Sequence, residues 1–324
     1  MRAPRVIFGI LTTAIMIALI FTIYFYLKAL SYEVTINGQE EEKEYDYHFS
    51  LIVQEYNNPY LVELSKGAQE AARQNNISLE YRGPRQTNFE EHIKMIEKSI
   101  ASKVDGIITQ GLSEDFIPVI QKAEEMGIPV ITIDTDLKAS GRKTYIGTDN
   151  YQAGFQVGLK VIEENQAKTK VGIIAGDLET NQHSQRVEGF LDAVKSATHI
   201  EIAAIEASNL SNIQATEKTY QMLQDHPDIE VFFGTSAMDG QGIASAIDIY
   251  RPQRKIKVYA FDDLEENMEL LKEGKLHAVI QQLPYDMGYE SIRLMTQLKK
   301  GTTIETDHYT DVHILQKDDV LHNR

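Results

Sequence analysis

Residues 105–136, DGIITQGLSEDFIPVIQKAEEMGIPVITIDTD, contain the pattern that decides the fold. Two short runs rich in β-branched residues, 105–109 and 128–133, are bounded by turn-forming residues, as in strands that are buried on both faces. Between them, residues 115–126 place apolar side chains at helical spacing. A strand, a helix and a strand at this spacing predict two parallel strands joined by a crossover helix.

The same alternation continues on both sides of this segment. Further strands are predicted at 48–53, 77–82, 170–175, 199–205, 229–233, 256–261 and 277–281. Further helices are predicted at 59–75, 88–102, 150–165, 183–196, 211–225, 240–250, 264–273 and 285–300. Residues 140–150, SGRKTYIGTDN, are predicted to be a turn-rich break. Because nine strands would make one very wide sheet, the sequence predicts an α/β protein with two doubly wound parallel-sheet lobes.

An apolar segment precedes the predicted lobes. Val6–Leu27, VIFGILTTAIMIALIFTIYFYL, has no charged residue and as a helix would span about 33 Å, enough to cross a bilayer core. Arg2 and Arg5 precede it, and flanking positive charge stays in the cytoplasm. Aromatic side chains at 24–26 fit the membrane interface. We therefore expect a single-pass membrane protein with its N-terminus inside and its binding domain outside the cell.

Cleavage of this segment is the alternative. Ala29-Leu30-Ser31 has the form of a weak signal-peptidase site, whereas the apolar segment is longer than a usual signal peptide. The sequence favours an uncleaved anchor over residues 1–30, followed by an acidic stalk over 31–47. The chain contains no cysteine, which excludes a lipidated cysteine, disulfides and thiolate sites.

Composition and motifs exclude several functions. The chain is 42% hydrophobic and 25% charged, as expected of a globular protein, and its net charge of −16 makes nucleic acid a poor partner. No GxSxG, HExxH or Walker A pattern occurs, and no two of the nine histidines are four residues apart. Asp134-x-Asp136 is the only metal-like pattern, and turn formation explains it more simply. We expect no catalysis, no cofactor and no metal.

Polar side chains follow the predicted strands, where ligands of open α/β sheets bind. These strand-end residues are Gln54, Asn58, Gln110, Asp134, Asp136, Ser236, Asp262 and Gln282, with Tyr60 and Arg186 close in sequence. Carboxylates accept hydrogen bonds from sugar hydroxyls, and arginine and amide groups donate them, so this set suits a neutral sugar. Local roles stay open, because Asn58-Pro59 is also a typical helix start and a single aspartate can cap a turn.

Six segments resemble one family. They are SLIVQEYNNPYLVELSKGAQEAARQ (50–74), GIPVITIDTDL (127–137), QRVEGF (185–190), VFFGTSAMDGQGIASAI (231–247), VYAFDD (258–263) and HAVIQQLPYDMG (277–288). In order and spacing they resemble the bacterial ribose-binding proteins, the sugar class of the type I periplasmic binding proteins. The resemblance covers residues 48 to about 315.

The resemblance implies two Rossmann-like lobes that are joined by a three-strand hinge and close on a sugar. It implies lobe 1 at 48–149 plus 283–306 and lobe 2 at 150–282 plus 307–324, with crossovers near 148–150, 282–284 and 306–308. Ligand positions of the family fall on Asn58, Tyr60, Asp134, Arg186, Asp262 and Gln282. Departures from ribose binders fall on Gln54, Leu61, Thr135, Ser236 and the stretch near Asn209 and Leu210. The sugar class is therefore expected, as a pentose or hexose, and ribose itself is not.

Two roles fit such a receptor, and both use closure around the ligand. An uncleaved anchor holds the receptor in one place, which slightly favours a co-sensor for a sensor histidine kinase. The alternative is the substrate-binding component of an ABC-type sugar importer. Repressors of the lactose-repressor type share this fold, but they need a DNA-reading motif where this chain has its apolar segment.

Overall fold

The computed structural model describes residues 3–36, 44–178, 181–250 and 255–321. The chain divides into two compact units, Met1–Asp46 and Tyr47–Arg324. The first contains helix α1 (Ala3–Ile36), whose segment Leu11–Lys28 has a mean hydropathy of 1.8 and is long and apolar enough to cross a membrane. Helix α1 continues into the range predicted as stalk, and residues 37–43 of that range, with Glu40, lie outside the described residues.

The second unit contains twelve described strands and ten described helices. The strands are β1 (Tyr47–Ile52), β2 (Ile77–Arg82), β3 (Gly106–Thr109), β4 (Val130–Ile133), β5 (Thr144–Thr148), β6 (Thr169–Ala175), β7 (Ile200–Ala207), β8 (Ile229–Gly234), β9 (Lys257–Phe261), β10 (Ala278–Gln281), β11 (Asp307–Thr310) and β12 (His313–Gln316). The helices are α2 (Pro59–Gln74), α3 (Phe89–Ala101), α4 (Ile117–Glu125), α5 (Asn150–Glu164), α6 (Asn181–Val194), α7 (Asn212–Asp225), α8 (Ala237–Tyr250), α9 (Glu265–Glu273), α10 (Pro284–Lys299) and α11 (Lys317–Leu321).

The strands form two six-stranded sheets, one in each lobe. Lobe 1 has the order β11-β5-β4-β3-β1-β2, and all its strands are parallel. Lobe 2 has the order β12-β10-β9-β8-β6-β7, and only the edge strand β12 is antiparallel to its neighbour. The predicted α/β class with two doubly wound lobes is confirmed.

Each sheet has an apolar core on both faces, which explains the continuous apolar runs. In β3, Ile107 packs with helices α3 and α4, whereas its neighbour Ile108 packs with helices α2 and α10 on the other face. In β6 of lobe 2, Ile173 and Ile174 divide between two clusters in the same way. Alternate side chains of a strand point to opposite faces, so a doubly covered strand is apolar at most positions.

The chain crosses between the lobes three times. Two crossovers connect β5 to α5 and β10 to α10, and the third connects β11 to β12 through Asp311 and Val312. The prediction of the third crossover at 306–308 was wrong, because Asp307–Thr310 pairs with β5 and belongs to lobe 1. The predicted turn at 140–150 was also wrong in part, since Thr144–Thr148 is the buried strand β5.

Candidate functional site

The two lobes present one aspartate each at the carboxyl edge of their sheets. Asp134 follows β4 and Asp262 follows β9, and both have left-handed backbone, with φ of 65° and 67°. The N–H of Asp134 donates to Ile146 O at 2.8 Å, and the N–H of Asp262 donates to Ile280 O at 2.9 Å. Each turn is therefore hydrogen-bonded to the neighbouring strand. Aspartate tolerates this conformation better than most side chains do. The same left-handed backbone conformation therefore places a carboxylate in each lobe.

In lobe 1 the carboxylate of Asp134 is held by neutral donors. The Tyr60 hydroxyl donates to Oδ1 at 3.0 Å, and Gln110 Nε2 donates to Oδ2 at 2.8 Å. Tyr145 donates its hydroxyl to the main-chain oxygen of Asp134 at 2.9 Å. Burial raises the pKa of Asp134 above its usual value, and the bonds from Gln110 and Tyr60 oppose that rise. Burial and the carboxylate of Asp134 also raise the pKa of Tyr60, which keeps it a donor.

In lobe 2 the carboxylate of Asp262 lies near a buried arginine. Gln282 Nε2 donates to Asp262 Oδ1 at 2.6 Å. Arg186 donates from Nε to Asn150 Oδ1 at 2.8 Å and from Nη1 to Thr235 O at 2.7 Å. Its guanidinium carbon lies 3.8 Å from the ring centroid of Phe261. Burial lowers the pKa of Arg186 while Asp262 opposes the shift, and an arginine remains charged in any case.

Close packing of two helices places Arg186. A Cβ on Gly154 of α5 would lie 1.9 Å from the Arg186 carbonyl oxygen, and one on Gly189 of α6 would lie 2.0 Å from Tyr151 O. Glycine at both positions lets the two backbones touch. The crossing brings Asn150, at the start of α5, within reach of the guanidinium.

The two half-sites act on each other across the cleft. The charge of Asp262 raises the pKa of Asp134, and the charge of Arg186 lowers it. At the hinge, the Thr148 hydroxyl donates to Gln282 Oε1 at 2.7 Å and so connects the first crossover to the second. Two carboxylates, one guanidinium and several amides and hydroxyls thus converge from both lobes. Such a set can accept from and donate to the hydroxyls of a neutral polyol.

Comparison with known proteins matches this geometry to one family. Residues 49–303 match the model of the periplasmic binding protein domain. The chain belongs to the periplasmic binding protein family. It is 24% identical to the ribose import binding protein RbsB of Escherichia coli (strain K12), over 89% of this chain and 95% of that protein. It is thus an extracytoplasmic, non-enzymatic sugar-binding protein of the ribose-binding class.

Two solved structures of the family extend the comparison. The first is GanP, a glucose-galactose binding protein from Geobacillus stearothermophilus, with 42% identity and a TM-score of 0.77 over 86% of this chain and 99% of that one. The second is the XylFII-LytSN complex, with 30% identity and a TM-score of 0.71 over 85% of this chain and 100% of that one.

Six of the ten polar residues predicted for the ligand site converge in this periplasmic binding protein. Tyr60, Gln110 and Asp134 come from lobe 1, and Arg186, Asp262 and Gln282 come from lobe 2.

Three of the remaining four have local partners. Asn58 caps α2, because its Oδ1 accepts from the N–H groups of Tyr60 and Leu61. Ser236 and Asp239 bond each other's N–H groups at the start of α8. The N–H of Gln54 donates to Gln110 Oε1 at 2.8 Å and orients that amide toward Asp134.

Asp136, the second acid of the metal-like pattern, is held in an ion pair. Arg142 donates from Nε to Asp136 Oδ1 at 2.6 Å and from Nη2 to Oδ2 at 2.7 Å. Arg142 also bonds Asp307 at 2.6 Å and thereby fixes β11 against lobe 1. Within the described ranges no group of three or more potential metal ligands occurs.

Several residues of the site were not found from the sequence. Asn150 holds Arg186, Phe261 supplies the ring under the guanidinium, and Tyr145 supports the turn at Asp134. Asn150 and Tyr145 lie in or beside the strand that was predicted to be a turn. Phe261 is the last residue of an apolar strand and has no sequence feature that separates it from the core.

Proposed function

We propose that this chain is a membrane-anchored receptor that closes on a small neutral monosaccharide and delivers it to an ABC-type importer. The observation that carries the proposal is the placement of Asp134 and Asp262 on opposite lobes around Arg186. Hydroxyl groups between the lobes can donate to both acids and accept from the arginine. An anionic ligand such as a phosphate would face two carboxylates and one cation, which disfavours it.

A hexose is the first candidate ligand. GanP, the relative with 42% identity over 86% of this chain, is a glucose-galactose binding protein. The departures from ribose binders at Gln54, Thr135 and Ser236 also support a sugar other than ribose. Glucose and galactose are therefore the first sugars to test, with pentoses as the comparison.

Delivery to an importer is favoured by the named relatives. The E. coli relative that spans 89% of this chain is an import binding protein. Substrate release to a permease would use the opening of the lobes, since the bound sugar contacts both.

A co-sensor role is the second candidate, and one observation favours it. XylFII, which is 30% identical, was solved in a complex with LytSN, so a protein of this fold assembles with a separate protein partner. Helix α1, if uncleaved, would keep this receptor beside such a partner in the membrane. Deletion of the chain should abolish sugar uptake if it serves an importer. It should instead abolish sugar-induced transcription, and leave uptake by other routes intact, if it serves a sensor.

Thermal unfolding tests the ligand class. The fragment that begins at Asp46 should gain stability with glucose, galactose or another monosaccharide, by about 2.7 kcal/mol at a sugar concentration of 100 times Kd. Amino acids and inorganic phosphate serve as controls and should produce no shift. A screen in which only an amino acid, an anion or a metal ion stabilises the fragment would overturn the proposal.

The anchor is tested on the whole protein. Because Val6–Leu27 lies within α1 and has no charged residue, the mature chain should stay in the membrane fraction after carbonate extraction. Protease added to spheroplasts should digest its C-terminal part. A mature N-terminus at Tyr32 would identify a cleaved signal instead.

A further inference from the structure

One hydrogen bond joins the lobes directly at the cleft. Gln182, in the first turn of α6 in lobe 2, donates from Nε2 to Thr135 Oγ1 in lobe 1 at 3.0 Å. Thr135 follows Asp134 at the end of β4. Both side chains are half-buried, whereas Arg186 is 4% exposed. The bond therefore lies nearer the mouth of the cleft than the guanidinium does.

The donor directions form a chain that ends on the carboxylate of Asp134. The Thr135 hydroxyl has one proton, which it donates to Asp134 Oδ2 at 3.3 Å, and its oxygen accepts from Gln182. Gln182 and Arg186 are four residues apart on one helix and therefore share a face. Helix α6 thus places a cation in the interior of the cleft, bonded to Asn150 and Thr235 of its own lobe, and an amide that donates to lobe 1 at the mouth.

We propose that Gln182 and Thr135 form a closure latch that maintains a closed population of the receptor without sugar. The bond can exist only when the lobes are closed, so it stabilises the closed state and not the open one. A single neutral hydrogen bond of this kind shifts the ratio of closed to open molecules by about 2- to 10-fold. Because sugar binds the closed form, the apparent affinity for every sugar changes by the same factor. The latch rests on the closure mechanism proposed above, but its partners are both protein groups.

A double-mutant cycle in the full-length protein tests the latch. The variants are Gln182→Ala, Thr135→Val and the double variant, each in lipid nanodiscs. Since the chain has no cysteine, Gln86→Cys at the lobe 1 rim and Ile213→Cys at the lobe 2 rim accept one spin label each. Both positions are exposed. Pulsed distance measurements then report the closed fraction without sugar, and calorimetry with D-glucose and D-galactose reports affinity.

The expected pattern is non-additive. Each single variant should lower the sugar-free ratio of closed to open molecules by about 2- to 10-fold, and the double variant should resemble the single ones. Affinity for both sugars should fall by the same factor. Gln221→Ala removes an exposed glutamine from α7 in lobe 2 and should change neither measurement.

Several results would overturn the latch. They are a sugar-free protein with no closed population, unchanged distances in all variants, and additive effects that weaken one sugar far more than the other. The last would identify Gln182 and Thr135 as sugar contacts. If neither sugar binds, the proposed hexose fails, while the sugar-free distances still decide the latch.

Discussion

The two lobes use one backbone plan but surround the carboxylate with different partners. Asp134 and Asp262 occupy equivalent strand ends, share a left-handed backbone, and each accept a bond from a glutamine amide. In lobe 1 the described donors to the carboxylate are neutral. Arg142 of this lobe is bonded to Asp136 and Asp307 instead. In lobe 2 a buried arginine lies near the carboxylate. The fold therefore repeats the position of the acid in both lobes, whereas side chains from other elements determine which charges surround it.

Loss of the lobe 2 cation should have the largest effect. Arg186→Ala should weaken sugar binding by about 2–5 kcal/mol, because it leaves two buried carboxylates without their shared cation. Calorimetry on the fragment from Asp46 measures the loss. Arg73→Ala, on an exposed surface of α2, is the matched control and should bind normally. Wild-type affinity in Arg186→Ala would mean that sugar binding does not depend on a cation shared by the two carboxylates.

The starts of two equivalent helices give a pH test of the comparison. Asp239 at the start of α8 is buried, and burial raises its pKa to about 6, whereas Asp115 before α4 is exposed. A raised pKa means that the folded state binds the proton more tightly. The stability contributed by that proton is therefore present below pH 3.8 and lost as the pH rises through about 6.

Asp239→Asn should remove that loss, which amounts to roughly 2–3 kcal/mol. Urea unfolding of the fragment between pH 4 and pH 7 measures the slope of the free energy of unfolding against pH, for the variant and for the wild type. Asp115→Asn should keep the wild-type slope. Equal slopes for wild type and Asp239→Asn would show that the lobe 2 capping carboxylate is as well solvated as its lobe 1 counterpart.

Matched substitutions of the two site acids should stabilise the sugar-free fragment by different amounts. Asp134→Asn keeps an acceptor for Tyr60 and removes repulsion from Asp262, so the sugar-free fragment should gain about 1 kcal/mol. Burial also raises the pKa of Asp262, but Arg186 opposes that rise more strongly than it does at Asp134, so Asp262→Asn should gain less. Urea unfolding at pH 7 measures both. Equal gains in both variants would mean that the two carboxylates have the same environment.

The hinge bond should have the smallest effect. Thr148→Val keeps the shape of the side chain and removes the donor to Gln282, which then holds Asp262 less firmly. Sugar affinity should fall by about 0.5–1.5 kcal/mol. Thr310→Val removes only a 3.4 Å bond to Gly147 O on the neighbouring hinge strand and should bind as the wild type does. Equal losses in both variants would indicate a general loosening of the hinge.

The fold could be predicted from the sequence because doubly covered strands are apolar at most positions. Runs such as 128–133 have no other simple explanation. Strands β5, β11 and β12 do not follow this rule. They contain residues such as Thr144, Gly147 and His313, and backbone pairing with neighbouring strands, not local preference, makes them extended.

The site could be predicted only where it coincides with strand ends. Asp134 and Asp262 were found because they directly follow apolar runs. Capping and ligand binding use the same residue types at the same places, so Asn58 and Ser236 could not be assigned from sequence. The bonds from Arg186 to Asn150 and from Gln182 to Thr135 join distant segments, and no local pattern encodes them.

The order of the crossovers also has a consequence for assembly of the chain as it is made. Residues 150–281 contain five of the six strands of lobe 2 in one continuous stretch. Lobe 1 must wait for α10 and β11, although α2, against which α10 packs, emerges more than 200 residues earlier. A Cβ on Gly288 would lie 1.9 Å from Leu64 O, so this late contact is a close one. Lobe 1 begins the chain but is thus completed only near its end, and until then one face of its sheet exposes apolar surface that invites aggregation.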